Sequence, residues 1–360
     1  MDVAAVATVP YALRRLGVLM TPDMANPHEI EGVLNPASGR GAGGEPYLLP
    51  RLVAAGNVSR VGLARIQMRD GVPVGVERLG VVLSPDEGWE RAQHHAGVED
   101  PRVIWVPTLG LYLMTYVAYG PLGSRTALAV SHDLLAWKRL GPLHFEYQPD
   151  MDADLNLFPN KDVVFFPEPI PGPDGQLCYA ALHRPMWDLD QIGPGLGVYV
   201  PAGVTDNRPG IWISYVPVDE VTGALSQIVH LRGHRPVAMP VHDFEMLKIG
   251  AGPPPLRVEE GWLLIHHGVS GELVPGVIQQ PLVHYAAGAM LLSEDDPSVV
   301  LARTRMPLLR AEVDEERHGM VPNVVFPTAI EDIDGRLFVF YGMADSCIGV
   351  AALDRIGASP

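Results

Sequence analysis

Apolar positions in this chain come in short runs, many alternating with polar residues, and each run is cut by Gly, Pro, Asn or Asp. RVGLARIQM (60–68), RVIWVPTLGLYLMTYVAY (102–119), RTALAVS, DVVFFPEPI, QLCYAALHRP, IWISYVPV, GWLLIHHGV, YAAGAMLLS, NVVFPTAI, RLFVFYGMAD and IGVAALD all follow this pattern. Short runs of period two bounded by turn residues predict β-strands. The 38 Gly and 35 Pro work against long helices. The helical candidates are the opening residues and short turns such as DEGWERAQHH (86–95) and DEERHG (314–319).

One pattern recurs loosely: a strand, a turn with Asp or Gly, and a strand ending in a polar residue. SHDLLAWKRLG (131–141) is its clearest instance, and an Asp turn followed by Trp and Gly is what joins neighbouring strands of a propeller blade. About five such units of about 50–70 residues fit the length; a pair of β-sandwiches is the structural alternative. No Gly-x-Gly-x-x-Gly or Walker loop sits between a strand and a helix, which disfavours a nucleotide fold. Residues 188–209 and 271–281, each between two convincing strands, read as loop insertions. The chain is expected to be one domain over residues 1–360, with 1–30 as an amino-terminal extension packed on it.

Composition narrows the function classes. With 47% hydrophobic and 19% charged residues the chain can bury a core. Its 26 Lys and Arg against 42 Asp and Glu give a net charge of −16, which repels a phosphate backbone, so no nucleic acid is expected as a partner. Cys178 and Cys347 lie in apolar runs and read as reduced, buried thiols. The opening segment has Asp2 first and Arg14–Arg15 after its apolar stretch, the wrong order for a signal peptide. No run reaches the roughly 18 apolar residues of a membrane span. A cytoplasmic protein with no membrane partner is expected.

Polar clusters stand at the predicted strand ends: Glu99-Asp100-Pro101-Arg102, Asn160-Lys161-Asp162, His183-Arg184-Pro185, Arg257 with Glu259 and Glu260, His266-His267, and Asp345. In a propeller such ends converge on a central channel, where a small anionic or polyhydroxylated ligand would suit them. Any single one of them is ordinarily a solvated corner. Metal chemistry is disfavoured: there is no Cys pair at ligand spacing, and adjacent histidines on a strand point to opposite faces. A serine nucleophile lacks its Gly-x-Ser-x-Gly elbow.

Taken together, NPASG, GVEDPRV, SRTALAVSHDLLAWKRLG, FPNKDVVFFPEPI, ALHRP, IWISY, LKIGAGPPPLRVEEGWLLIHHGV, YAAGAMLLSEDDPSVVLAR, GMVPNVVFPTAI and DGRLFVFYGMADSCIGVA, in that order from about residue 30 to 354, resemble glycoside hydrolase family 130, the mannoside phosphorylases and related β-mannosidases. The resemblance implies an all-β fold, a five-bladed β-propeller with a central active-site cavity, acting with inversion on β-linked mannose. It implies that Asp100 is the general acid, its proton passing through a sugar hydroxyl, with Glu99 in support.

The resemblance further implies a phosphate site. Lys161 stands where many phosphorylases have Arg, Arg184 matches the Arg of HRP, Arg257 stands where Lys is common, Tyr285 matches a phosphate-contacting Tyr, and His267 is a further candidate. Mannose binding falls to Asn35, Arg51, Asp162 and Asp345, with Arg102 and His183 beside them. Inorganic phosphate would be the co-substrate, with no other cofactor and no metal, and the partner a β-mannoside oligosaccharide; a homo-oligomer is left open. An inverting displacement by phosphate needs one carboxylic acid and no base, because the nucleophile arrives ionised. Phosphorolysis to α-mannose 1-phosphate is the first reading. The alternatives are hydrolysis within the same family, a non-catalytic glycan-binding propeller, and an arabinanase-like propeller using Asp100, Asp162 and Asp345 as a carboxylate trio.

Overall fold

Nearly every apolar run becomes a strand buried on both faces. In the computed structural model, which describes residues 8–121, 123–189, 195–274 and 280–357, β1 (Tyr11–Met20) opens the chain. An eight-stranded sheet follows in two antiparallel halves. The first half holds β2 (Gly32–Arg40), β3 (Pro46–Ala54), β4 (Val58–Arg69) and β5 (Val72–Leu83); the second holds β6 (Ala96–Val106), β7 (Leu111–Gly120), β8 (Gly123–Ser131) and β9 (Lys138–Pro142). Only the short parallel pairing of Val58 with Ala96 and Ser59 with Gly97 joins them.

A six-stranded sheet comes next, with β10 (His144–Phe145), β11 (Asn160–Phe165), β12 (Ile170–Pro171), β13 (Leu177–Pro185), β14 (Ile211–Pro217) and β15 (His230–Ala238). Another six-stranded sheet has β16 (Lys248–Ala251), β17 (Leu256–Val258), β18 (Gly261–Gly271), β19 (Val283–Leu292), β20 (Val300–Arg303) and β21 (Leu309–Arg310). The last sheet runs β22 (Val325–Ile333), β23 (Arg336–Met343) and β24 (Cys347–Arg355), and β1 pairs with β24 as its outer strand.

Alternation sorts each strand between two cores. On β13, Tyr179 and Ala181 face one apolar cluster while Cys178, Ala180 and Leu182 face the next. On β23, Val339 and Tyr341 face one cluster and Phe338 and Phe340 another. This double burial is why these strands read as continuous apolar runs instead of alternating ones. Five such cores occur among the described residues. They lie between the two halves of the long sheet, between its second half and the β11–β15 sheet, between that and the β16–β20 sheet, between that and the last sheet, and between the last sheet and β2–β5. First strands meet too: β2 packs on β6 and β22, and β11 on β6 and β16.

Buried carboxylates fasten the loops ahead of these strands. Glu29 takes Arg78 of β5 at 3.0 Å; Glu90 takes Arg139 of β9 at 2.8 Å and the Tyr116 hydroxyl at 2.7 Å. Glu245 takes Arg303 of β20 at 3.1 Å and His266 at 2.8 Å; Glu316 takes Arg15 of β1 at 2.7 Å and Tyr341 at 3.0 Å. All four carboxylates are buried, and each ties a loop to an outer strand, so the desolvated charge is matched in place.

Of the helical expectations, the opening segment changes and the two short turns stand as single turns. The described part of the opening segment is strand, because Tyr11 and Leu13 enter a core. DEGWERAQHH keeps one 3₁₀ turn at Gly88–Glu90, and DEERHG a single helical turn at Asp314–Arg317, both serving to place the latch glutamates. Residues 190–194 and 275–279 of the two expected insertions lie outside the described residues. Both cysteines are buried and unpaired, and among the described residues no helix is long and apolar enough to cross a membrane.

Candidate active site

Three first strands interrupt their ladders early: β2 between Leu34 and Ala37, β6 between Glu99 and Arg102, and β11 between Lys161 and Val164. Each break holds a left-handed residue, Asn35 (φ 43°), Asp100 (φ 46°) and Asp162 (φ 56°), and Asp345 (φ 50°) does the same after β23. Asn and Asp are the side chains that best tolerate that conformation. Asn35 and Asp100 also precede proline, which favours extended backbone in the residue before it. A bulge re-aims the side chain, and strain of this kind gathers at functional sites.

Three of the re-aimed residues, Asn35, Asp100 and Asp345, meet at a cavity of about 360 Å³. Asn35, Arg51, Glu99, Asp100 and Asp345 line it together with Lys161, Arg184, Lys248, His267 and Tyr285, with Met186, Val324 and Phe326 among the apolar lining. Asp100 Oδ1 accepts from Asn35 Nδ2 at 2.8 Å and Arg51 Nη1 at 3.0 Å, while Arg51 Nη2 reaches Glu99 Oε1 at 2.8 Å. Lys161 Nζ stands 4.0 Å from Asp100 Oδ2. On the cationic side Arg184 Nε donates to Asp162 Oδ2 at 2.6 Å, but its buried Nη1 has no hydrogen-bond partner among the described residues. Lys248 Nζ lies 5.6 Å from the Tyr285 ring centre, and the His267 ring stacks 6.1 Å from the same ring. A larger cavity of about 520 Å³ beside Trp89, Phe145 and Phe158 is mostly apolar, so the chemistry resides in the smaller one.

The charges press on one another. Burial acts to raise the Asp100 carboxyl, but Arg51, Lys161, Arg102 and the Asn35 hydrogen bond outweigh it and hold it below the ordinary range. Glu99 moves up, by burial ahead of the opposing Arg51. Burial also pushes Asp345 up to about 6 against Arg51, with Asp100 adding to the rise. Lys248 is pushed down to about 7 by burial and by the charges of Arg184 and Lys161, and burial keeps His267 neutral. The cationic side is therefore short of negative charge, which is the condition for holding an anion.

Nine of the expected residues line this cavity: Asn35, Arg51, Glu99, Asp100, Lys161, Arg184, His267, Tyr285 and Asp345. Four do not. Asp162 sits behind Arg184 as its buried counter-ion, 3.5 Å from His267, so Asp100, Asp162 and Asp345 do not form an open carboxylate trio. Arg102 turns from the cavity to donate to the Gly252 and Asp100 carbonyls. His183 is enclosed between Asn160 and Ser214.

Arg257 is the clearest correction. It is exposed, lies on the Trp262 ring and pairs with Glu168 and Glu294. Its strand pairs with the Gly261–Leu263 end of β18, whereas β16 pairs with the His266–Val269 end. At about 3.3 Å per strand residue that puts Arg257 far from His267. The cation at the site is instead Lys248, which the sequence reading missed. Its signal was the Gly250 that follows: a Cβ there would come within 2.3 Å of Asp162 Oδ2 and 2.5 Å of His267, so the strand carrying Lys248 must be bare where it meets the site. Among the described residues no group of three or more His, Cys, Asp or Glu is placed to hold a metal ion.

Comparison with known proteins agrees in scale. A family model for glycoside hydrolase family 130, described as β-1,4-mannooligosaccharide phosphorylase, matches residues 56–356. The 1,2-β-oligomannan phosphorylase of Thermoanaerobacter sp. (strain X514) is 31% identical over 294 residues, 78% of this chain and 79% of that one. The β-1,2-mannobiose phosphorylase of the same strain is 32% identical over 274 residues, 75% of this chain and 69% of that one. The solved structure of β-1,2-mannobiose phosphorylase from Listeria innocua, in complex with β-1,2-mannobiose, superposes with a TM-score of 0.69 at 21% identity, covering 97% of each chain.

Proposed function

We infer the activity from one premise: the chain belongs to glycoside hydrolase family 130. It cleaves β-mannosidic linkages with inversion by phosphorolysis, releasing α-mannose 1-phosphate. The observation that carries this reading is the under-compensated cationic wall, Arg184 with its free Nη1 and Lys248 beside Tyr285, standing in one cavity with the acidic group of Asp100.

Phosphate takes the cationic wall, held by the Arg184 guanidinium, Lys248 and Lys161, with Tyr285 and neutral His267 as supplementary partners. The mannosyl unit takes Asn35, Arg51, Glu99 and Asp345. Asp100 supplies the proton to the leaving oxygen through a sugar hydroxyl. Its carboxyl is held ionised, against burial, chiefly by Arg51 and Lys161. A phosphate dianion beside Lys161 offsets part of that field and raises the carboxyl toward protonation. The nucleophile thereby prepares the acid. A hydrolase would need a carboxylate free to activate water; Asp162 is taken by Arg184 and Glu99 by Arg51, which leaves Asp345 as its candidate base, so hydrolysis is the second reading.

The five inter-sheet cores, the contacts among first strands and the β1–β24 pairing support a single five-bladed propeller over the whole chain, with the two halves of the long sheet as separate blades and β1 closing the last. The test of function is incubation with β-1,2- or β-1,4-mannobiose with and without inorganic phosphate. Phosphate-dependent α-mannose 1-phosphate is expected; free mannose at an undiminished rate without phosphate would replace this reading with hydrolysis.

A further inference from the structure

Among the described residues, the sheet that supplies Lys161 and Arg184 lacks the Glu–Arg latch found ahead of the other first strands and carries a neutral chain of hydrogen bonds. His234 Nε2 lies 2.8 Å from the Glu146 carbonyl; its Nδ1 lies 2.7 Å from Ser214 Oγ; Ser214 Oγ lies 2.7 Å from His183 Nε2; His183 Nδ1 lies 3.0 Å from Asn160 Nδ2. A carbonyl only accepts, so His234 carries its proton on Nε2. Its Nδ1 then accepts the Ser214 hydroxyl, Ser214 accepts from His183 Nε2, and His183 Nδ1 is left to accept the Asn160 amide. One backbone oxygen thus fixes every donor along the chain. Asn160, His183, Ser214 and His234 are all buried, and Phe145 packs 4.9 Å from the His183 ring and 5.6 Å from the His234 ring.

Asn160 opens β11, one residue ahead of Lys161, the last residue in register before the bulge. Its side chain ends the ordered chain, and its carbonyl accepts from Thr126 Oγ1 of β8 at 2.8 Å. The next two residues are Lys161, 4.0 Å from Asp100, and Asp162, which holds Arg184 at 2.6 Å. We propose that Ser214, His183 and His234 are positioning residues for the phosphate wall, setting Lys161 and, through Asp162, Arg184 without touching a ligand. The proposal rests on the phosphorolytic reading above. It predicts a split, because Asn35, Arg51, Glu99 and Asp345, assigned to mannose, stand on other sheets.

The test is direct binding of inorganic phosphate and of β-1,2-mannobiose by calorimetry, with KM for each, in the full chain. Ser214→Ala should weaken phosphate about tenfold, as for one lost buried hydrogen bond, with mannobiose affinity within about twofold of wild type. Ser214→Cys, which keeps the size and a weak donor, should recover part of the loss. If Ser214→Ala does not fold, His234→Phe breaks the same chain at its anchored end and is read the same way. Unchanged phosphate affinity in a folded chain-breaking variant, or equal losses for both ligands, would overturn the proposal alone. A wild-type protein that binds no phosphate would overturn the underlying reading and this inference with it.

Discussion

Buried charge occurs in two forms in this molecule. In the latches, Glu29, Glu90, Glu245 and Glu316 each meet an Arg from an outer strand at hydrogen-bond distance. In the cavity, Arg184 leaves Nη1 unpaired, Lys248 is depressed to about 7 and Asp345 is raised to about 6. Both forms set acidic and basic side chains together inside the fold. The difference is compensation: closed pairs hold loops to strands, whereas open ones keep free energy of interaction available for a ligand. Substitutions should therefore separate into those that unfold and those that inactivate.

The largest effect is expected at a latch. Glu245→Gln leaves Arg303 buried without its carboxylate and should cost about 3–5 kcal/mol of stability, read by denaturant unfolding, while kcat/KM of the folded fraction stays close to wild type. The sign with pH follows from the pKa. Burial acts to raise Glu245, but His266 and Arg303 hold it at about 2 in the folded state. Its contribution is full above the unfolded value of about 4.3 and is lost as pH falls through 2. The variant should lose that acid dependence. A stable but inactive Glu245→Gln would erase the distinction between the two kinds of charge.

Asp100→Asn should do the reverse. Arg51 keeps Glu99 as a carboxylate partner when Asp100 is neutralised, so thermal unfolding should move less than for Glu245→Gln, yet turnover should fall by about 100-fold or more through loss of the proton donor. Full activity would place the acid elsewhere, with Asp345, already near 6, the first residue to examine.

Arg184→Lys comes third. The guanidinium serves Asp162 with Nε and leaves Nη1 open, and one ammonium cannot reproduce both geometries. Phosphate affinity should drop about tenfold, with some loss of stability. Loss of stability with phosphate affinity intact would make Arg184 only the counter-ion of Asp162.

How far sequence reaches into this comparison depends on the kind of constraint. The strands were legible because their apolar runs and Gly or Pro breaks are local, and the cavity acids and Arg184 because each lies in a distinctive short motif. The latches were not legible: Glu90 and Arg139 are 49 residues apart and Glu316 and Arg15 are 301 apart, and nothing local distinguishes a buried Glu from a solvated one. Arg257 was misplaced for the related reason that charge type is local but strand register is not. The proline run after Gly252 carries Arg257 to the far end of β18, and only the pairing of β16 and β17 shows it.

Lys248 gives the smallest and most discriminating effect. Burial and the neighbouring Arg184 and Lys161 lower it to about 7, so at pH 8 most of the empty protein carries this amine uncharged. A phosphate dianion at the wall favours the ammonium and draws a proton from solvent. Calorimetry at pH 8 in buffers of different ionisation enthalpy should therefore show uptake of a substantial fraction of one proton per phosphate bound. The uptake should diminish below pH 7, where the lysine is already charged. In Lys248→Arg the side chain is charged throughout, and the uptake at pH 8 should vanish even where phosphate still binds. Equal uptake in wild type and Lys248→Arg would mean that the titrating group lies elsewhere and that Lys248 belongs with the closed, structural charges.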